Sequence, residues 1–250
     1  MSTPLPDAAQ LTRVIEATWP PAAAWQAGPW LLRDGQGGGK RVSAATAQGE
    51  IAAAGFAQDL AFAEAEMRRA GQTPLFMLRQ GEEALDALLA GAGYDLVDPV
   101  NMHVSPLANL DLAPPERLAS FNLWEPLAIQ AEIWAAGGIG PLRLAVMHRV
   151  AGPKTALLGR LEGRAVGAGF VAIHEGIAMV HALEVLGPMR RRGAGRALMA
   201  EAAHWARGQG AQHLAIICTA ANAAANALYA KLGMELVGRY HYRQHPGGAL

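Results

Sequence analysis

Apolar positions recur every three or four residues in several stretches of the chain and every second residue in others, and the two periods sort it into helices and strands. Asp7 stands as an N-cap before the helical pattern Ala8 to Trp19, which Pro20 and Pro21 end. "GPWLLRDGQGGGKRVSAATA" predicts a hairpin of two short strands turning at Gly35–Gly39. Glu50 to Ala70 reads as a helix closed by a basic last turn and Gly71, "TPLFMLRQ" as a short strand, Glu82 to Ala90 as a helix and Tyr94 to Val104 as a strand.

The prolines Pro106, Pro114 and Pro115 interrupt the pattern between Ser105 and Leu118, which predicts a boundary between a domain at 1–110 and another at 111–250. Two helices follow, around Glu125–Ala136 and Pro141–Arg149. Three strands come next (Thr155–Leu161, Ala165–Ile173 and Ile177–Leu186), joined by "EGR" and "HEG" turns that predict an antiparallel meander. Then come a helix to about Arg207, the strand "HLAIICT", the helix Ala223–Leu232 and a strand from Met234 to Arg243. In that last strand Met234, Leu236, Tyr240 and Tyr242 alternate with Glu235, Arg239, His241 and Arg243.

An internal echo links the halves. "ALDALLAGAGYDLVD" (84–98) and "ANALYAKLGMELVG" (225–238) superpose Gly93 on Gly233, Leu88 on Leu228 and Leu96 on Leu236. Either the halves share an architecture, or both simply use the glycine stop common to helix-to-strand connections. Leu89 stands where the second half has Tyr229, and Glu82 where it has Asn222.

Composition narrows the class. The chain has 250 residues, 52% of them hydrophobic and 17% charged, which is ample for packed cores and argues against disorder. Its formal net charge is zero and it has only three lysines, which disfavours a nucleic-acid partner. Cys218 is the single cysteine, so no internal disulfide and no cysteine-built metal site can form, and the scattered histidines predict no metal. The opening residues lack a basic start followed by an apolar run, and no stretch is long and apolar enough to span a membrane, so a cytoplasmic protein is expected.

The segment "VLGPMRRRGAGRALMAEAA" carries the first chemical signal. Three adjacent arginines repel one another, and glycines are poor helix formers. A turn entering a helix offers unpaired N–H groups and the positive end of the helix dipole. Glycines let an anion approach that backbone, and arginines add charge-assisted bonds. The second signal is "NAAANALYAKLGM", in which Asn222 is a good N-cap and Tyr229 follows two helical turns later.

Together, Arg190-x-x-Gly193-x-Gly195 before a helix, Asn222-x-x-Ala225-x-x-Leu228-Tyr229, and Leu232-Gly233-Met234 resemble the GNAT superfamily of acyl-CoA-dependent N-acyltransferases. The likeness spans about Thr155 to Arg243. It implies an α/β fold with a mixed sheet, and the first half resembles the degenerate N-terminal partner of tandem members.

The resemblance also implies roles. The backbone of Arg191, Arg192, Gly193, Ala194, Gly195 and Arg196, with Arg190 at the entrance, would hold the pyrophosphate of acetyl-CoA. Leu183, Glu184 and Val185 would pair with the pantetheine arm, and their N–H groups could polarise the thioester carbonyl. Asn222 would contact pantetheine, and Tyr229 would protonate the departing thiolate. An amine would then attack the thioester directly, with no covalent enzyme intermediate. Cys218, inside a strand, reads as core.

Some members carry a glutamate five residues before the motif asparagine. Here that position is Ile217, which leaves Glu184 as the best candidate base, with a structural partnership to a nearby arginine as the competing explanation. His181 and Glu175 are weaker candidates. The "GGGK" of residues 37–40 lacks the first glycine and the final Ser/Thr of a nucleotide loop and reads as a hairpin loop. The expected function is transfer of an acetyl group to a primary amine of a small molecule or protein, and the alternative is an acyl-CoA-binding regulator or scaffold without turnover. The acceptor is not legible, and monomer and homodimer both remain open.

Overall fold

The computed structural model describes residues 4–110, 112–113 and 118–246. Pro114 and Pro115 therefore lie outside the described residues. Asp7 caps the first helix, α1 (Ala8–Thr18), by accepting the Gln10 N–H at 2.7 Å. Strands β1 (Ala23–Ala27) and β2 (Trp30–Asp34) form a hairpin whose turn is Gly28–Pro29, with Gly28 at φ +60°. This corrects the expectation of a turn at Gly35–Gly39. Those glycines lead into a one-turn helix, α2 (Lys40–Ser43), and β3 (Thr46–Ala47) then pairs with β2. Glycine-rich stretches do not distinguish a hairpin turn from a helix entry, because both use positive φ.

Helix α3 (Phe56–Arg69) begins six residues later than its alanine-rich pattern suggests, because Gly55 adopts φ +87° and stops the backbone from extending the helix upstream. There follow β4 (Leu75–Arg79), α4 (Glu83–Gly91) and β5 (Asp95–Pro106). The second half runs β6 (Ser120–Leu123), α5 (Ala128–Ala136), α6 (Pro141–Arg149), β7 (Lys154–Leu161), β8 (Arg164–His174), β9 (Ile177–Val185), α7 (Ala194–Gly208), β10 (His213–Thr219), α8 (Ala223–Lys231) and β11 (Glu235–Gln244). The sequence pattern did not reveal β6, four residues long. The buried Glu201 of α7 fastens it by accepting from Ser120 (2.7 Å) and Asn122 (2.6 Å).

Both halves repeat one order. An antiparallel three-stranded unit (β1-β2-β3 or β7-β8-β9) leads to a helix (α3 or α7), a strand (β4 or β10), a second helix (α4 or α8) and a final strand (β5 or β11). In the second half β10 runs parallel to β9, and in the first half a single parallel bridge, Ala45 to Phe76, stands in the same place.

The halves are not side by side in the sheet. Its order is β4-β11-β5-β10-β9-β8-β7-β6, so each half's last strand lies against the other half's penultimate one. The β5–β11 register shows the symmetry. Leu96 faces Arg243 and Leu236 faces His103, while Val100 faces Tyr240 at the centre. With Gly93 matched to Gly233, these partners interchange about that central pair, which supports a shared architecture over two unrelated glycine stops. The sequence boundary near residue 110 falls between β5 and β6, and the sheet runs across it.

The last strand departs from simple alternation. A register shift between Leu236 and Gly238 leaves Leu236 exposed while Tyr240 and Tyr242 stay buried. A bulge of this kind moves the side chains before it to the opposite face.

Candidate active site

The parallel ladder between β9 and β10 ends at the pair Val180–Ile216. Beyond it β9 bulges. Ala182 has φ +49°, and its register against β8 shifts between Ala168–Glu184 and Phe170–His181. Glu184 and Val185 thus pair with β8 on one side, while Ile217–Thr219 pair with β5 on the far side of β10. The two strands part in a wedge whose β9 wall is an open strand edge, able to hydrogen-bond an extended amide-bearing ligand.

Three side chains hold the bulge. Trp134 of α5, fully buried, donates from Nε1 to the Ala182 carbonyl at 2.8 Å. His181, also buried, lies between Thr18 Oγ1 (2.8 Å) and Arg41 Nη1 (2.9 Å), both from the first half. Thr18 spends its own proton on the Val14 carbonyl at 2.6 Å, so Nε2 of His181 donates to Thr18 and Nδ1 accepts from Arg41. Burial, with the Arg41 charge, holds the imidazole well below its usual pKa. Both nitrogens are occupied, which argues against His181 as a base. Glu175 sits at the exposed β8–β9 turn and pairs with Arg13 at 3.3 Å.

At the mouth of the wedge the chain passes from β9 through Arg190–Arg192 into α7. Gly193 is the N-cap in the left-handed region (φ +93°) and has no side-chain cap; a Cβ added there would meet nothing within 4 Å. The first turn of α7 thus has no side chain capping its N–H groups, and helix N-termini of this kind can accept an anion. At Gly195 an added Cβ would lie 3.3 Å from Leu228 Cδ2, so this glycine lets α7 approach α8.

Glu184 and Arg190 are brought together. Arg190 donates from Nη2 to Glu184 Oε1 at 2.8 Å and from Nε to the Val185 carbonyl at 2.9 Å. Glu184 Oε1 also accepts the Val185 N–H at 3.2 Å. Arg192 pairs with Glu162 at the β7–β8 turn. Gly137, at the end of α5, leaves room for Glu184, since a Cβ there would stand 2.5 Å from its carboxyl carbon.

On the β10 wall, Asn222 is exposed and caps α8 through the Ala225 N–H at 3.1 Å. Tyr229 is buried, its ring centroid 5.5 Å from that of His103 on β5. Burial, together with nearby Cys218, pushes its phenol above the usual range, so it is protonated at neutral pH. Asn222 and Tyr229 thus differ sharply in exposure, although they share a helix. Burial pushes the Cys218 thiol up to about 11, and its Sγ donates to Asn226 at 3.3 Å, as suits a packed residue rather than a nucleophile.

Sequence reasoning passed over Asn226, Asn101, His103 and Gly137. Asn101 and His103 carried a signal, since with Ser105 they set polar residues at every second position among Val100, Met102 and Val104.

The first half keeps the shape of the Gly193 turn without its arginines. Gly55 caps α3 at φ +87°, as Gly193 caps α7, but Ala52–Ala54 replace the three arginines and Asp59 sits in the first turn. Glu82, in the place of Asn222, binds the Arg79 N–H and Nε at 2.7 and 2.9 Å. It lines a groove of about 420 Å3 of mixed charge, with Glu83 and Asp86 facing it alongside Arg79 and Arg239.

Among the described residues no group of three or more His, Cys, Asp or Glu is placed to hold a metal ion, and no helix is long and apolar enough to cross a membrane.

Residues 124–234 match the acetyltransferase (GNAT) family model. No curated protein matches the chain in sequence. Among solved structures, a GCN5-related N-acetyltransferase from Kribbella flavida is similar over 97% of both chains, with a TM-score of 0.71 at 21% identity. A tandem GNAT protein from the clavulanic acid biosynthesis pathway is similar over 100% of this chain and 90% of its own, with a TM-score of 0.61 at 14% identity. A GNAT-family acetyltransferase structure from Novosphingobium aromaticivorans is similar over 94% of this chain and 98% of its own, with a TM-score of 0.58 at 16% identity. At these identities the likeness is one of fold. The mixed α/β architecture is that of the GNAT acyltransferases.

Proposed function

We propose, from the match of residues 124–234 to the acetyltransferase (GNAT) family model, whose members use acyl-CoA as co-substrate, that the chain transfers an acetyl group from acetyl-CoA to a primary amine. One observation carries the reading. The uncapped turn at Gly193 opens beside the wedge between β9 and β10, whereas its counterpart at Gly55 has lost every arginine.

Bound acetyl-CoA supplies the thioester; a C–N bond forms to the amine, the C–S bond breaks and the thiolate departs. The backbone of 191–196, with Arg190 at its entrance, holds the pyrophosphate by N–H groups and charge. The edge of Leu183–Val185 aligns the pantetheine arm and offers N–H groups to the carbonyl as it gains negative charge. Asn222 adds a polar contact from the α8 side. Glu184 receives the proton shed by the attacking amine, directly or through water, and Tyr229 supplies the proton that the thiolate takes. The neighbouring Arg190 keeps Glu184 oriented and must yield one bond when the carboxylate protonates.

That same pair favours the second reading, an acyl-CoA-binding protein without turnover, in which Glu184 serves only to hold Arg190. Thiol release from acetyl-CoA across a panel of primary amines separates the two. Release above the amine-free background that falls in Tyr229→Phe supports the enzyme. Binding of acetyl-CoA with no release for any amine class favours the binder.

A further inference from the structure

Asn226, the fourth residue of α8, ties the two halves together at the second half's site. Its Nδ2 donates to the carbonyls of Thr219 (3.1 Å), Ala220 (3.4 Å) and Asn222 (2.8 Å), which together make the turn between β10 and α8. Oδ1 is therefore the acceptor, assigned by this network, and it receives Asn101 Nδ2 at 2.8 Å and Cys218 Sγ at 3.3 Å. The His103 ring nitrogen Nε2 lies 2.9 Å from the same oxygen and so carries the hydrogen. Six contacts converge on an amide with two N–H groups and two lone pairs, so its orientation is over-determined.

Two of the donors, Asn101 and His103, come from β5 of the first half. The His103 ring also packs on Tyr229, and its Nδ1 is buried without a partner among the described residues, so Nε2 makes its polar tie.

The other copy of the motif shows what this device is for. There Asp86, the fourth residue of α4, accepts from Arg243 (2.7 and 2.8 Å) and His241 (2.7 Å) on β11. Under the match of Gly93 to Gly233, Asp86 corresponds to Asn226, His241 to Asn101 and Arg243 to His103. Each final strand thus sends two alternate side chains to the same position of the other half's helix. Where the neighbouring turn has lost its arginines the clamp is an ion pair. Where the anion turn survives, the clamp is a neutral amide, which brings no carboxylate near an anionic ligand and has N–H groups left for the 219–222 turn.

We propose that the first half braces the second half's site: Asn101 and His103, acting through Asn226, are positioning residues that fix the 219–222 turn and hence Asn222 and the helix bearing Tyr229. The consequence for ligand binding rests on the acyl-transfer reading, whereas the bracing itself does not.

The test compares the full chain with His103→Leu, which removes the donor, and His103→Gln, which restores an N–H at similar reach; Asn101→Ala is a milder second variant. Backbone hydrogen exchange without ligand should rise about tenfold or more within 219–229 in His103→Leu, stay unchanged in the β1–β3 sheet, and return to within about threefold of the parent in His103→Gln. Asn101→Ala should raise exchange in the same segment. Unchanged exchange at 219–229 in both His103→Leu and Asn101→Ala, or a rise spread evenly along the chain that glutamine does not relieve, overturns the brace. In a parallel acetyl-CoA titration, affinity should fall about tenfold in His103→Leu and recover in His103→Gln; equal affinities overturn the link to the site. If the parent chain binds no acetyl-CoA, the acyl-transfer reading fails, and the exchange result still decides the brace.

Discussion

Arg190 donates to Glu184 at 2.8 Å, joining the first residue of the anion turn to the open edge of β9. The two features proposed to hold opposite ends of one extended ligand are therefore tied directly to each other. The same contact gives the candidate base a fixed orientation and a competing partner.

Glu184→Gln distinguishes those roles. Glutamine can still accept from Arg190 but cannot take up a proton at neutral pH. Turnover should fall at least about tenfold while acetyl-CoA affinity holds, as steady-state rates and calorimetry would reveal. Unchanged turnover would leave Glu184 a purely structural partner.

Gly137→Ala perturbs Glu184 by shape alone. Gly137 has φ −91°, which alanine adopts freely, but the new Cβ would stand 2.5 Å from the Glu184 carboxyl carbon. We expect a loss of about 1–3 kcal/mol in stability and a fall in turnover, because the carboxylate must shift away from α5. Chemical denaturation and rate measurements on the same preparation check both.

Tyr229→Phe removes the hydroxyl and keeps the ring that packs on His103. Acetyl-CoA affinity should stay within about threefold while turnover drops on the order of a hundredfold, the scale of a lost proton donor. An unaltered rate would take Tyr229 out of the reaction.

The acid limb of stability should depend on Asp86. Hydrogen bonding from Arg243, with help from His241, lowers its pKa to about 2, against about 4 in an unfolded chain. A carboxyl depressed by folding contributes stability that is complete above its unfolded value and is lost as pH falls through its folded one. Asp86 should therefore lose its contribution between about pH 4 and pH 2. In Asp86→Asn the Tm should be lower near pH 7 and fall less steeply across that window. Parallel melting curves as a function of pH would contradict this.

Most elements and both motifs of the second half were legible in the sequence because local chemistry defines them. Asp7 and Asn222 cap their helices, Gly193 and Gly233 take positive φ, and turns at Gly163 and Gly176, also at positive φ, separate the apolar runs of β7, β8 and β9. The exchange of β5 and β11 was not legible, because strand order depends on pairing between residues more than a hundred positions apart. The echo around Gly93 and Gly233 pointed to repetition but not to crossing. The partnership of Glu184 with Arg190 appeared only as one of two alternatives, since a charge inside a strand pattern does not say which neighbour it meets. Gly137 gave no local signal, as its importance lies in a side chain from another element.

The most direct test of the account is calorimetric titration of the purified chain with acetyl-CoA, alongside Gly193→Asp. Gly193 holds φ +93° in front of the first N–H groups of α7. Aspartate there adds backbone strain of about 1–2 kcal/mol and a negative charge where the pyrophosphate is expected. The account predicts saturable binding by the parent chain, one equivalent per chain, that is lost in Gly193→Asp while the variant remains folded by circular dichroism. Equal affinity in the two proteins, or no binding by either, would contradict it.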